Sequence, residues 1–166
     1  PLLWKHFQWN QKGTKAFLHV NSLGYHEVYL NGKKVGDTVL APAVSQFDKR
    51  SLSVTYDVTD LLEKGENEFV LWLGKGWYQD GLPGVVNGGP FVRAQLEEFE
   101  NGEWRTSLIT DSTWKTRESG YASTGTWRPL QFGGEEISAY RLLPALERKT
   151  LNSVDWYTAV LADIPL

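Results

Sequence analysis

The sequence predicts an all-β protein, an antiparallel β-sandwich of jelly-roll type. Three observations predict it. Short runs of alternating apolar and polar residues recur along the chain, each bounded by turn residues. Two Asn-Gly pairs, Asn31-Gly32 and Asn101-Gly102, mark tight hairpins, and long crossing connections separate them. Apolar spacing of helical period is not sustained anywhere.

The elements follow in order. Residues 2–9 mix Leu2, Leu3, Trp4, Phe7 and Trp9 with polar residues and read as an edge strand. In the strand Lys15 to Val20, Ala16, Leu18 and Val20 share one face. The stretch GYHEVYLNGKKVGD at 24–37 reads as strand, Asn-Gly turn, strand, with His26, Val28 and Leu30 on one side and Tyr25, Glu27 and Tyr29 on the other. Val39 to Val44, around Pro42, is expected to be irregular, because Pro cannot donate to a ladder. Leu52, Val54, Tyr56 and Val58 alternate with polar residues as a half-buried strand. Thr59 to Gly65 is expected to form one short helical turn, capped by Thr59 or Asp60. Strands are predicted at Glu68 to Leu73, at Phe91 to Phe99 with Val92, Ala94 and Leu96 inward, and at Trp104 to Thr110. Asp111 to Trp114 is a turn into another strand, Tyr121 to Gln131 a loop then a strand, and Gly133 to Glu136 a turn carrying two carboxylates. Residues 1–146 are expected to form the sandwich, and 147–166 a linker towards a neighbouring domain.

At 166 residues the chain is long enough for one domain with a true core. Its net charge of -3 and the lack of basic runs leave no footprint for nucleic acid. No apolar run approaches the ~20 residues of a membrane-spanning helix. With no Cys there is neither a disulfide framework nor a thiolate site. The chain starts at Pro1 and contains no Met, so it is expected to be a segment of a longer polypeptide. The 8 Trp are many for this length and offer two uses, a β-rich core or a stacking surface for a flat ligand.

His19 and His26 lie within strands, with no nucleophile elbow nearby, and are expected to be ordinary sheet-surface histidines. Clustered zinc ligands are lacking. Glycoside hydrolysis needs two facing carboxylates. Glu135 and Glu136 are adjacent, and neighbours on an extended chain point to opposite faces, so they are read as possible acceptors for sugar hydroxyls rather than a catalytic pair. Asp37, Asp48 and Asp80 fall in predicted loops and are the calcium candidates, with turn capping as the alternative use. The best binding candidate is the glycine-dense stretch 74–90, GKGWYQDGLPGVVNGGP. Trp77 and Tyr78 could cover the apolar face of a pyranose while Asp80 and Asn87 take its hydroxyls. The competing reading makes Trp77 a core plug beneath the loop.

Three landmarks in this order resemble the N-terminal β-sandwich domain of bacterial α-L-rhamnosidases. Residues 24–37 match that family's Gly-Tyr-Tyr-Glu-Leu-Tyr-Ile-Asn-Gly-x-x-Val-Gly-Asp strand, and Leu40-Ala41-Pro42 its Leu-Ala-Pro segment. Tyr56 to Asn67 match Tyr-Asp-Val-Thr-x-Leu-Leu-x-x-Gly-x-Asn, and Leu73 to Tyr78 match Leu-Gly-x-Gly-Trp-Tyr. Asp111 and Trp114 match an Asp-x-x-Trp pair. The Asn-Gly, Asp-Val-Thr and Gly-x-Asn elements are shared with sugar-binding domains of β-galactosidases and β-mannosidases, which gives an alternative kinship; the Gly-Trp-Tyr favours rhamnosidases. The resemblance implies a galactose-binding-like sandwich, without catalytic residues of its own, in an extracellular or periplasmic glycoside hydrolase whose catalytic residues lie in a helical barrel. It also implies binding of L-rhamnose-containing glycans, in some members through calcium.

The family's last box, Gly-Glu-x-Tyr-Asp-Ala-Arg, falls on Gly134 to Tyr140 and departs here, with Ser138 in place of its Asp and Tyr140 in place of its Arg. Lys49 sits beside Asp48, the candidate calcium ligand and sugar contact; at ~4 Å a like charge costs several kcal/mol at an effective dielectric near 20. Two functions are therefore expected to compete: a carbohydrate-recognition domain using Trp77, Tyr78, Asp80, Asn87, Asp48, Glu135 and Glu136, and a sandwich that only packs on the catalytic domain.

Overall fold

A computed structural model describes residues 1–10, 14–78, 82–86, 88–125 and 133–164. Its strands are β1 (Leu2–Trp9), β2 (Lys15–Leu23), β3 (Tyr25–Leu30), β4 (Lys33–Lys34), β5 (Ser53–Asp57), β6 (Gly65–Gly74), β7 (Phe91–Glu100), β8 (Glu103–Ile109), β9 (Lys115–Arg117), β10 (Tyr121–Thr124), β11 (Gly134–Ile137) and β12 (Tyr157–Thr158). A single helical turn, α1, spans Arg148–Leu151.

Two antiparallel sheets make the sandwich. The larger has the order β12-β9-β1-β6-β3-β4 and the smaller β5-β2-β7-β8; β10 and β11 form a separate hairpin. Alternation along each strand sets which side chains meet between the sheets. Val28, Leu30, Phe69, Leu71 and Leu73 of the larger sheet face Ala16, Leu18, Val20, Ala94 and Leu96 of the smaller, all buried in one core. Val92, expected inward, is partly buried against that core.

Both Asn-Gly pairs turn as their sequence demands, with φ of 51° at Asn31 and 80° at Gly32, and 52° at Asn101 and 86° at Gly102. Asp111 accepts from the backbone N–H of Thr113 at 2.8 Å and closes the turn that lowers Trp114 into the core, where its indole donates to the Ile109 carbonyl at 2.9 Å. After β5 the chain makes a turn rather than a helix. Its cap is Asp57, not Thr59 or Asp60: the carboxylate accepts from the Thr59 N–H at 3.0 Å and from its hydroxyl at 2.6 Å.

Three expectations need correction. β1 is not an edge strand throughout. Leu2, Leu3 and Trp4 lie between β6 and β9, so only its second half is flanked on one side alone. Glu135 and Glu136 lie on strand β11 rather than in a turn, because residues 134–137 pair with Tyr121–Thr124. Finally, the chain beyond residue 147 does not lead away at once. Leu151 is fully buried with Leu2 and Val70 on the outer face of the larger sheet, where Leu143, Leu146 and Trp156 join them. Arg148 donates to Glu68 at 2.5 Å and pairs with Glu66, and β12 adds to β9.

This tail is a structural cover for that outer face, which otherwise would leave Leu2, Trp4 and Val70 in water. Leu151→Ala is expected to lower unfolding stability by about 2–5 kcal/mol, the cost of a buried leucine truncation. Denaturant melts of the two proteins measure it, and a change under 1 kcal/mol would show the tail to be loosely attached.

Candidate functional site

At one end of the sandwich the glycine-dense loop leaves β6. The backbone N–H of Tyr78 donates to the Lys75 carbonyl at 2.9 Å, so residues 75–78 form a turn that sends two adjacent aromatics in opposite senses. Trp77 is 59% exposed and Tyr78 is fully buried.

Tyr78, expected to be a sugar contact, has its ring turned inward and leaves no exposed face. Its ring lies edge-on to Phe47 at 5.1 Å and to Phe91 at 6.0 Å, and its hydroxyl accepts from the Val86 N–H at 2.8 Å. It is the plug beneath the loop, the role sequence reasoning had weighed for Trp77. Glycine is required where the loop closes on its neighbours. A Cβ on Gly84, whose φ is +76°, would lie 2.1 Å from the backbone nitrogen of Asp48, and one on Gly76 would overlap the Tyr25 ring.

Trp77 stands on the rim of a shallow cleft lined also by Tyr25, Pro42, Val44, Ser45 and Phe47, with Tyr78 at its floor. The cleft encloses about 10 Å³, room for about one water. The described residues enclose no pyranose-sized space, and the exposed Trp77 ring is the flat surface they offer beside the cleft. Val44 and Leu82 are exposed too.

The expected site residues are only partly brought together. Asp48 is exposed next to Phe47, in a turn where the Gln46 carbonyl accepts from the N–H groups of Lys49 and Arg50 at 2.9 Å. Its neighbour Phe47 lines the cleft that Trp77 rims; Asp48 itself is not among the lining residues. Glu135 and Glu136 lie elsewhere. They are exposed neighbours on β11, opposite Ser123 and Ala122, and none of the residues lining the cleft belongs to that hairpin. Asp80 and Asn87 lie outside the described residues. Among the described residues no three His, Cys, Asp or Glu gather into a metal-sized group. Asp48, with Lys49 beside it, belongs to no such group. Sequence reasoning missed Tyr25, Val44 and Phe47 as cleft residues; the proximity of Phe47 to Asp48 was the available signal.

It also misplaced one histidine. His26 is buried rather than on a sheet surface. Its Nδ1 lies 2.7 Å from the Ser22 hydroxyl and its Nε2 3.0 Å from the Tyr56 hydroxyl, so it joins β2, β3 and β5 directly behind the cleft. Alternation had put it on the side of Val28 and Leu30, which is the inner side.

Residues 11–166 match the family model described as the α-L-rhamnosidase N-terminal domain. The chain belongs to that family. An α-L-rhamnosidase of Formosa agariphila is 36% identical over 116 residues, 64% of this chain and 12% of that protein. The structure of the native Aspergillus terreus α-L-rhamnosidase superposes with a TM-score of 0.79 at 27% identity, covering 99% of this chain and 19% of its own. That of the Streptomyces avermitilis α-L-rhamnosidase complexed with L-rhamnose gives 0.76 at 25% identity, covering 98% and 16%. The chain thus spans less than a fifth of the length of each of these relatives.

The buried His26 makes stability depend on pH. Burial lowers its pKa from 6.5 to about 4. Between these values the unfolded chain binds the proton and the folded one does not. Stability is therefore full above pH 6.5 and falls as pH drops through this window, by about 3 kcal/mol in all at the lower end. Denaturant melts from pH 7 to pH 4 should record that loss, and His26→Gln should remove most of the slope; an unchanged slope in the variant would place its origin elsewhere.

Proposed function

We propose that the chain is a carbohydrate-recognition domain of an α-L-rhamnosidase-like glycoside hydrolase. It is of the jelly-roll, galactose-binding-like type, a reading supported by the way the chain passes between sheets: β1, β3 and β6 belong to one, and β2, β5 and β7 to the other. It holds L-rhamnosyl groups of a glycan for a catalytic domain elsewhere in the same polypeptide, outside the cell or in the periplasm. One observation carries the reading: a family member exposes Trp77, a flat apolar platform, on the rim of a cleft. The Streptomyces avermitilis relative is seen in complex with L-rhamnose, which makes that sugar the first to test. Hydrolysis itself belongs to the rest of the parent protein. Glu135 and Glu136 alternate along β11 and do not face one another across a cleft.

A second reading has its own support. The cleft is water-sized and Tyr78 spends its ring on packing, as in a sandwich that only braces the catalytic domain.

Calorimetric titration with L-rhamnose separates the two. In the recognition reading Trp77→Ala weakens binding about 30-fold or more, the ~2 kcal/mol of an aromatic anchor. Its stability cost stays below the ~3–5 kcal/mol of a core Trp truncation. Heat of binding absent from the wild type, or unchanged in Trp77→Ala, would leave the bracing role.

A further inference from the structure

The two outer faces of the sandwich are treated differently. That of the larger sheet is covered by the chain's own tail. That of the smaller sheet carries a hydrogen-bonded strip of polar side chains with an aromatic group at one end.

Register puts these residues together. His19 stands between Thr55 on β5 and Gln95 on β7, and Phe17 lies opposite Glu97. The His19 Nδ1 lies 2.8 Å from the Thr55 hydroxyl and its Nε2 3.3 Å from Glu97. Gln95 donates its amide N–H to Glu97 at 2.7 Å and to Thr106 of β8 at 3.1 Å. At the end of the strip Trp104 stacks on Phe17 and packs on Phe99, each at 5.1 Å, and remains 45% exposed.

A local irregularity builds this arrangement. Gln95 faces Ile109, yet Glu97 faces Thr106 and Phe99 faces Trp104. The register shift between Leu96 and Glu97 absorbs Ser107 and inverts the alternation of β8. Without it Trp104 and Thr106 would point to the opposite face.

We propose that this outer face is a second carbohydrate-binding site, for a neutral oligosaccharide lying across β5, β2, β7 and β8. Four strands span about 14 Å, wider than a single ring requires. The chemistry selects the occupant. The cores of protein–protein interfaces are depleted of charged residues, whereas Glu97 and His19 sit at the centre of this strip. Acidic Glu97 and Asp57 are balanced by Lys15 and Arg93 in the same rows, which disfavours an anionic chain. A stacked indole beside side chains already held in place by one another is the combination that grips the C–H face and the hydroxyls of a sugar at small ordering cost. Only the choice of sugar rests on the reading proposed for the Trp77 rim.

The test is an NMR titration of the protein with an α-linked rhamnose tetrasaccharide and, separately, with L-rhamnose. The tetrasaccharide should shift the Trp104 indole N–H and the Gln95 side-chain amide, at an affinity at least tenfold above that of L-rhamnose for the same signals. Glu97→Gln and Trp104→Ala should each weaken that response at least tenfold. Glu97→Gln keeps the shape of the strip and should keep the melting temperature, so it reads binding even if the tryptophan variant folds poorly. Trp77 reports independently. Movement of its indole with Trp104 still removes this site and leaves the rim reading standing; movement of Trp104 alone does the reverse. Signals on the smaller sheet that stay still at saturating tetrasaccharide, or that respond equally in Glu97→Gln, overturn the proposal. So does self-association in ultracentrifugation that Trp104→Ala abolishes, because the face would then belong to a second copy.

Discussion

The fold depends on a contact between two asparagines. Asn31, in the hairpin turn after β3, donates from its amide to the side-chain oxygen of Asn67 at 2.9 Å, while its own oxygen accepts from the Glu68 N–H at 3.0 Å. Asn67 is fully buried; its oxygen also accepts from the Glu63 N–H at 2.8 Å, and its amide donates to the carbonyls of Glu63 and Gly65. One hairpin turn, the turn before β6 and the start of β6 are thereby fixed to each other. The backbone groups that these turns leave without ladder partners are satisfied by two side chains. An apolar residue at either position would strand several of them in the interior, at roughly 1–3 kcal/mol each. The register of β3 against β6, and so the inward facing of Val28, Leu30, Phe69 and Leu71, follows from that junction.

This explains why the recognisable motifs are informative about fold and nearly silent about ligand. Asn31-Gly32 and Gly65-Glu66-Asn67 are the two halves of the junction. Asp57 and Asp111 cap turns, and hydrogen bonds from Thr59 and Thr113 hold both carboxyls below their ordinary pKa. Trp114 is core. These roles require a particular residue type at a particular spacing, so they leave a pattern. The strands of the sandwich were legible for a related reason: burial of one face imposes a period of two.

What the sequence hid was decided by contacts distant along the chain. Trp77 and Tyr78 are consecutive in a loop that has no periodicity, so nothing local says which ring turns inward; Phe47 and Phe91 decide it. Residues 134–137 contain two glutamates and a glycine, poor strand formers, and become a strand only because Tyr121–Thr124 lies alongside. The chain beyond residue 146 looked like a linker because Leu151 and Trp156 are isolated among polar residues, and their common destination on the larger sheet is visible only once that sheet exists. The bulge in β8 is equally invisible, since one skipped residue leaves composition unchanged.

The tight fit of Gly84 on the 46–50 turn has a consequence for how such a rim can diversify. The two segments touch backbone to backbone, with no side chain between them to trim or enlarge. Neither can change length or course without displacing the other. New rim shapes in this scaffold therefore arise by paired replacement, and a transplant aimed at altered ligand preference has to carry residues 46–50 and 82–86 as a single cassette.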